Sequence, residues 1–221
     1  MVSIEEGKKF FTDKCGIPTN KLDSRGDLGC NSSDWRVGKY NGPPAHLKKF
    51  IPPKEFTAIG IKVKGCFDGG NDVWLGTDNI EGEWYVGYHG VRTVDAIYNI
   101  IFQGVKKGPG QSEKNSNNIN PLTNSLYPKC GEGAYFAQDI NTAESYTNSI
   151  YYNGKNYKVV FMCRINPYSC RISAQGYERD YMITNGCYNT KDEARPYRIL
   201  IKQASWAFIN YSKLKKNLLN Y

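Results

Sequence analysis

The chain has 221 residues, of which 40% are hydrophobic, so it is long enough for one domain with extensions and apolar enough for a packed core. Its formal net charge of +8 indicates either attraction to an acidic partner, such as nucleic acid or an acidic protein surface, or a solvated basic face. No apolar run approaches the roughly 18 residues of a membrane span, and the N-terminus lacks a basic-then-apolar signal. We therefore expect no membrane association and an intracellular protein, cytoplasmic or nuclear.

Seven cysteines are spread along the chain without a Cys-x-x-Cys pair, at positions 15, 30, 66, 130, 163, 170 and 187. The two histidines, His46 and His89, have no cysteine at the spacing of a zinc site. This pattern predicts no metal centre, and it indicates reduced thiols in a reducing compartment.

Residues 1–82 are expected to form an irregular N-terminal extension with a short helix and a strand. Apolar residues among charges predict the helix within 1–16, and the Gly, Asn, Ser, Asp and Pro content of 17–50 predicts turns. The apolar and β-branched content of 56–63 predicts the strand. The extension carries no motif to which we assign a function.

The stretch from 83 to 90, Glu-Trp-Tyr-Val-Gly-Tyr-His-Gly, alternates side chains with the period of a strand and places His89 at its end. The residues that follow have helical spacing, with one apolar face. That face consists of Val94, Ile97, Tyr98 and Ile101. The sequence therefore predicts a strand, a turn at His89 and an amphipathic helix in succession.

Further along the chain, residues 142–150 predict a helix that Asn141 or Thr142 could cap. Three later stretches have strand composition, namely 158–165, 179–184 and 197–201. The turn-like composition of 192–195 predicts a solvated turn, and residues 204–221 form a basic tail. Because strands outnumber helices, we expect an α+β fold.

The order of these pieces is a strand ending in His89-Gly90, a helix, Gly-Glu-Gly-Ala-Tyr-Phe-Ala at 131–137, and a helix containing Tyr146. This order resembles the catalytic domain of poly(ADP-ribose) polymerases and their mono-ADP-ribosylating relatives, over roughly residues 83–203. Tyr146 lies eleven positions after Tyr135, as the second tyrosine does in that family. The resemblance implies an ADP-ribosyltransferase-like split antiparallel β-sheet with flanking helices.

The resemblance also implies roles for individual residues, with NAD as the substrate. Tyr135 and Tyr146 would enclose the planar nicotinamide, and the Gly90 backbone would bind its carboxamide. His89 would hold a ribose hydroxyl. Without this context, His89 would instead be read as a rim histidine and Tyr135 as part of the strand core.

The family uses a carboxylate to stabilise the positive charge that develops on the sugar, and the sequence offers three candidates for it. Asp180 begins the stretch Asp-Tyr-Met-Ile, where the family has Glu-Tyr-Ile-Val. Glu193 lies shortly before a later strand, and Glu178 is close to Asp180. The choice among these three acids stays open at the level of the sequence.

Besides the aspartate at position 180, the chain departs from the family at one more position. In the family, a serine eight residues after the first tyrosine binds the nicotinamide amide. Ala143 stands at that position, with Thr142 and Ser145 as neighbouring hydroxyls that could substitute. The sequence thus supports two functions. One is an NAD-dependent mono-ADP-ribosyltransferase acting on a macromolecular acceptor, and the other is a catalytically silent module that binds a ligand or serves a larger protein assembly.

Overall fold

The computed structural model describes residues 1–35, 42, 49–107, 118–119, 126–127, 133–173, 181–184, 186 and 190–204. These residues form a mixed structure with few helices around one antiparallel sheet, which confirms the α+β expectation. No helix in these ranges is long and apolar enough to span a bilayer. Asp180, Glu178 and the basic tail from residue 205 lie outside the described ranges.

The sheet contains ten strands within the described residues. They are β1 Thr57–Gly60, β2 Tyr85–Gly90, β3 Asn118–Ile119, β4 Leu126–Tyr127, β5 Ala134–Ala137, β6 Ile150–Tyr152, β7 Lys155–Ile165, β8 Arg171–Ser173, β9 Tyr181–Thr184 and β10 Ala194–Gln203. Their order across the sheet is β1-β10-β7-β2-β5-β9-β8-β3-β4, with β6 paired to β7 as a hairpin. Strands from distant parts of the chain are therefore neighbours.

The described helices are short, and they are α1 Ile4–Lys9, α2 Val94–Gln103, α3 Ile140–Ser145 and α4 Thr190–Glu193. The helix α1 continues directly into a π-helical turn at Phe10–Lys14. The helix α2 buries Ile97, Ile100 and Ile101, whereas Tyr98 is 43% exposed and so lies outside the apolar face. Five short 3-10 turns complete the described helical segments, at Thr19–Lys21, Ser24–Gly26, Asp68–Gly70, Val73–Leu75 and Pro167–Ser169.

The long strand β7 lies in the middle of the sheet and pairs with β10 on one side and β2 on the other. From Val159 to Ile165 every side chain is buried, as expected for a strand covered on both faces. The strand begins three residues before the predicted start, because Asn153 and Gly154 have positive φ and form a tight hairpin turn from β6. Residues 146–150 are therefore not helical, and the prediction of a helix over 142–150 was wrong beyond Ser145.

The N-terminal residues contribute to this same sheet. The strand β1 pairs with β10 in the register Thr57↔Ile201 to Gly60↔Arg198. The carboxylate of Glu6 in α1 accepts hydrogen bonds of 2.7 Å from Lys155 and Tyr157 of β7. The short helix and the strand expected within residues 1–82 are thus tied to strands from the other end of the chain.

The register of β2 against β7 defines two faces of the sheet. Gly90 lies opposite Val160, and His89 lies opposite Phe161. Because successive side chains point to opposite faces, we call one side the Gly90 face and the other the His89 face. The helix α3 covers the Gly90 face, since Glu144 pairs with Lys158 at 3.0 Å and with Lys202 at 2.8 Å.

Arg195 is buried where the sequence indicated a solvated turn. Arg195 is 2% exposed, and its guanidinium lies between 4.2 and 4.8 Å from the ring centres of Phe67, Trp74 and Trp84. Both of its terminal nitrogens also bind the Asp68 carboxylate, at 2.6 and 2.8 Å. The prediction of a solvated turn at 192–195 is therefore wrong for Arg195, because stacked rings replace water around its guanidinium.

Substitution of Asp68 by Asn tests whether this ion pair stabilises the fold. We expect the free energy of unfolding to fall by about 1–3 kcal/mol, because the buried guanidinium of Arg195 loses its charged acceptor. Asp192→Asn is the matched control, since that carboxylate is 70% exposed and 3.9 Å from Arg195, and its effect should stay within about 0.5 kcal/mol. Urea unfolding followed by circular dichroism measures both, and equal effects would contradict the assignment.

Candidate functional site

His89 lies at the end of β2 and is held by the neighbouring strand β5. Its Nδ1 is 2.9 Å from the carbonyl oxygen of Tyr135, and its ring centre is 5.7 Å from that of Phe136. A carbonyl oxygen only accepts hydrogen bonds, so Nδ1 carries the proton and donates it. The other ring nitrogen, Nε2, is then a lone-pair acceptor in the neutral imidazole.

The half-buried position of His89 favours this neutral form. Loss of hydration lowers the pKa of the imidazole from its usual value of 6.5, and the hydrogen bond to the Tyr135 carbonyl opposes that effect without reversing it. The ring is therefore neutral near pH 7. It is suited to accept a hydrogen bond from a hydroxyl group and not to act as a cation.

Gly90 directs its peptide groups away from β7. The neighbouring Val91 donates its N–H to Val159, at 3.4 Å, so Gly90 and Val160 form the alternate pair whose N–H and C=O groups point outward. On that outward side, the pairing of β2 with β5 consists of Tyr88 and Ala137. The Gly90 donor and acceptor therefore lie beyond the last paired residue of β5, at a split in the sheet.

The helix α3 packs directly on Gly90. A Cβ atom at this position would overlap the carbonyl oxygen of Ala143 and lie 3.2 Å from Cγ2 of Thr147. Only glycine therefore fits between the strand and the last turn of α3. This close contact brings the end of β2 and the end of α3 to one place, which we call the Gly90 corner.

Tyr135 and Tyr146 both belong to this corner. Alternation along β5 places Tyr135 on the Gly90 face, opposite to Phe136, and its side chain is half-buried. Tyr146 ends α3, is 45% exposed, and accepts a hydrogen bond of 3.3 Å from Arg92 through its carbonyl oxygen. The two tyrosines thus share a face with Gly90, whereas the imidazole of His89 belongs to the other face.

The local bonding of α3 differs from the prediction. Asp139, and not Asn141 or Thr142, caps the helix by accepting the backbone N–H of Thr142 at 2.9 Å. The same carboxylate accepts the Thr142 hydroxyl at 2.7 Å. The Ser145 hydroxyl donates to the Thr142 carbonyl at 2.7 Å, so both hydroxyls near Ala143 are bound within the helix.

Glu193 is not brought to the Gly90 corner. Its carboxylate accepts the backbone N–H of Gly186 at 2.7 Å. The next residue, Ala194, pairs with Ile165, which in turn pairs with Tyr85 at the start of β2. The backbone at Glu193 therefore lies near the other end of β2, roughly 13 Å along the strand from His89 at about 3.3 Å per residue. Its carboxylate lies beside Gly186, which packs against Ala134 of β5.

Asp180 and Glu178 precede a strand that does reach the corner. Tyr181, the first residue of β9, pairs with Ala137, and Ala137 pairs with Tyr88. The strand β9, which follows Asp180 along the chain, therefore begins level with Tyr88, the residue before His89 in β2. Asp180 and Glu178 themselves lie outside the described residues.

The other described residues include potential metal ligands and thiols. They contain no group of three or more His, Cys, Asp or Glu side chains that could hold a metal ion. Cys15 and Cys170 are free and buried, and loss of hydration raises the pKa of each thiol to about 12. These two thiols are unsuited to act as nucleophiles.

Comparisons of the chain with models of known protein families and with curated proteins found no match.

Replacing Gly90 by Ala tests the contact between β2 and α3. We expect the free energy of unfolding to fall by about 1–3 kcal/mol, because the added methyl group overlaps the Ala143 carbonyl. Gly29→Ala is the control, since a Cβ there has no neighbouring atom within 4 Å, and its effect should stay within about 0.5 kcal/mol. Thermal or urea unfolding measures both, and a tolerated Gly90→Ala substitution would contradict the contact.

Titration of His89 tests the neutral imidazole. Because burial lowers its pKa in the folded state, we expect a midpoint below 6.5 in a proton-detected titration, with the His46→Gln variant assigning the signal. The unfolded chain then binds this proton first, so His89 should contribute a loss of stability as the pH falls from about 6.5 through the folded pKa. His89→Gln should lack that contribution. A folded-state midpoint at or above 6.5 would refute this assignment.

Proposed function

We propose that the chain is an NAD-dependent mono-ADP-ribosyltransferase that acts on a macromolecular acceptor. The observation that carries this proposal is the Gly90 corner. There a backbone donor and acceptor lie at a split in the sheet, with two tyrosines on the Gly90 face and the neutral imidazole of His89 on the opposite face. This combination supports the resemblance to poly(ADP-ribose) polymerases, because the fold brings together residues that are far apart in the chain.

The nicotinamide end of NAD carries a carboxamide on a flat ring. The carboxamide would exchange hydrogen bonds with the N–H and C=O of Gly90, which point outward from β2. The ring would pack against Tyr135 and Tyr146, which share that face of the sheet. The 45% exposure of Tyr146 leaves much of its ring accessible to a ligand.

The ribose next to the nicotinamide would be held by His89. Its Nε2 accepts a hydrogen bond from a ribose hydroxyl because Nδ1 is already committed to the Tyr135 carbonyl. This bond positions the sugar relative to the ring, and positioning of this kind lowers the entropic part of the barrier. His89 would therefore bind substrate without exchanging a proton.

In the proposed reaction, the bond between the ribose C1′ and the nicotinamide nitrogen breaks, and its electron pair leaves with neutral nicotinamide. The sugar then carries positive charge, which a carboxylate stabilises until the acceptor's nucleophile bonds to C1′ and loses its proton. We propose Asp180 for this carboxylate in preference to Glu193. The strand that follows Asp180 starts beside β5, whereas Glu193 directly precedes Ala194, which pairs with Ile165 opposite Tyr85 at the far end of β2.

The proposed acceptor follows from charge. The net charge of +8 favours an acidic protein or a nucleic acid, which long-range attraction would bring to the surface. We propose single transfer and not chain extension, because an aspartate stands where the family has its glutamate. We infer an intracellular compartment, cytoplasmic or nuclear, from the reduced state expected for the cysteines.

A second candidate function is a catalytically silent module that binds a ligand or belongs to a larger assembly. The observation that favours it is the environment of Ala143. This residue faces Gly90 without a hydroxyl, and the hydroxyls of Thr142 and Ser145 are bound within α3. A nicotinamide carboxamide would therefore lack one of the partners that the family supplies.

Nicotinamide release from labelled NAD distinguishes the two functions. We expect Asp180→Asn to lower the rate on the order of a hundredfold or more while NAD affinity, measured by calorimetry, is kept. His89→Ala should weaken NAD binding and lower the rate as well. Glu193→Gln is the matched control, because its amide oxygen can still accept from Gly186, and it should leave both quantities unchanged.

Three results would count against the enzyme. Release that is independent of His89 and Asp180 would remove it. Binding of NAD without release or label transfer, to the chain itself or to added acidic protein and nucleic acid, would favour the silent module. Absence of NAD binding to the folded chain would leave only the role in an assembly.

A further inference from the structure

A second site lies on the Gly90 face of the sheet, away from the Gly90 corner. A cavity of about 470 Å³ opens between the N-terminal segment and strands β7 and β10, with Trp35, Met162, Tyr197 and Arg198 among its walls. Met162 lies one strand over from Tyr88, so this cavity is on the opposite side of β2 from β5. Its volume is within the range of cavities that hold small molecules.

Arg198 is the group in this cavity that needs a partner. Its Nε donates to the carbonyl of Gly26 at 2.9 Å, and its guanidinium lies 5.2 Å from the ring centre of Tyr197 and 5.8 Å from that of Trp35. Across the residues that the structure describes, its two terminal nitrogens meet no carbonyl or carboxylate oxygen. A half-buried guanidinium in this state has lost hydration without gaining an anion.

The other basic side chains in the walls either already bind a carbonyl or carboxylate oxygen or lie at the exposed rim of the cavity. Arg164 donates to the backbone carbonyls of Trp84, Leu75 and Gly76. Arg25 holds the Asp23 carboxylate at 2.6 Å. Lys64 is exposed at the rim. Arg198 is therefore the lining cation best placed to select a ligand.

The acidic side chains in the walls do not cancel this charge. Four basic residues line the cavity against three acidic ones, Asp23, Asp34 and Asp78. The carboxylate of Asp23 is neutralised by Arg25 through both of its oxygens. The cavity therefore keeps an excess of positive charge, with Arg198 inside it and Lys64 at its edge.

The position of Arg198 is set by backbone packing. The 3-10 turn Ser24–Gly26 lies against the end of β1, where a Cβ at Gly26 would be 2.8 Å from the Cα of Gly60. Asp27 ties the two segments further, because its carboxylate accepts the Gly60 N–H at 2.9 Å. The carbonyl that orients Arg198 is thus part of a rigid contact, which is what a preformed binding site requires.

Apolar side chains form much of the rest of the walls. They belong to Trp35, Ile61, Val63, Leu75 and Met162. A ligand that contacts both these side chains and Arg198 combines an anionic group with a hydrophobic body. Phosphate and carboxylate both match the forked guanidinium, so the two share the required chemistry.

We propose that this cavity binds a small organic anion, with its phosphate or carboxylate group on Arg198 and its apolar body against Trp35. The site is separate from the NAD site proposed above and does not depend on it. The proposal gives the N-terminal segment a function, since that segment supplies Trp35 and the carbonyl of Gly26.

Calorimetry with the full chain tests this site with phenyl phosphate, benzoate and the neutral probe benzyl alcohol. We expect saturable binding of at least one anion, and the tighter of the two identifies the preferred group as phosphate or carboxylate. Benzyl alcohol should bind at least tenfold more weakly. Arg198→Met should weaken the anion at least tenfold, whereas Lys62→Met, which removes an exposed cation outside the walls, should change it less than twofold.

Several results would overturn the proposal. They are no saturable binding of either anion to the folded chain, equal affinity for benzyl alcohol, or unchanged affinity in Arg198→Met. Loss of binding in His89→Ala, with retention in Arg198→Met, would assign the anion to the Gly90 corner instead. If Arg198→Met does not fold, the Nε resonance of Arg198 in the wild-type chain decides, because it should shift as the anion binds, and a constant resonance would refute the site.

Discussion

The close contact between Gly90 and the last turn of α3 is the constraint on which the Gly90 corner depends. It requires a residue without a side chain at the end of β2, and it holds the last turn of α3 on the Gly90 face, beside the point where the pairing of β5 with β2 ends. The outward peptide groups of Gly90 face a split in the sheet, because Tyr88 is the last residue of β2 that pairs with β5. Lys158 and Lys202 maintain this arrangement, because both bind Glu144 on α3.

Three arginines have different roles in this fold, although all three lie on neighbouring parts of the sheet. Arg164 and Arg195 are buried with acceptors or aromatic rings around their guanidinium groups, so they join loops to the sheet. Arg198 has only its Nε bonded among the described residues, and it faces a cavity. The difference lies in the neighbouring backbone. Its carbonyl groups surround the guanidinium of Arg164, whereas the guanidinium of Arg198 lies beside a cavity.

Local pattern predicted much of the secondary structure, including the strand at His89, the helix α2 and the long strand β7. It failed where two local signals competed. The stretch after Tyr146 is polar enough to extend a helix, but the Asn153-Gly154 turn pairs Ile150–Tyr152 with β7 as a strand. The cap moved to Asp139 because its side chain reaches both the N–H and the hydroxyl of Thr142.

The sequence alone determined the α+β class, the strand that carries His89 and the glycine that follows it, because these depend on period and residue type. The tertiary structure decided which groups meet. It placed Tyr135 on the Gly90 face with His89 on the other, and it put the backbone of Glu193 at the far end of β2. It also formed the Arg198 cavity from Trp35 and β10, which are distant in the chain. Such pairings depend on strand order across the sheet, and strand order leaves no trace in local spacing.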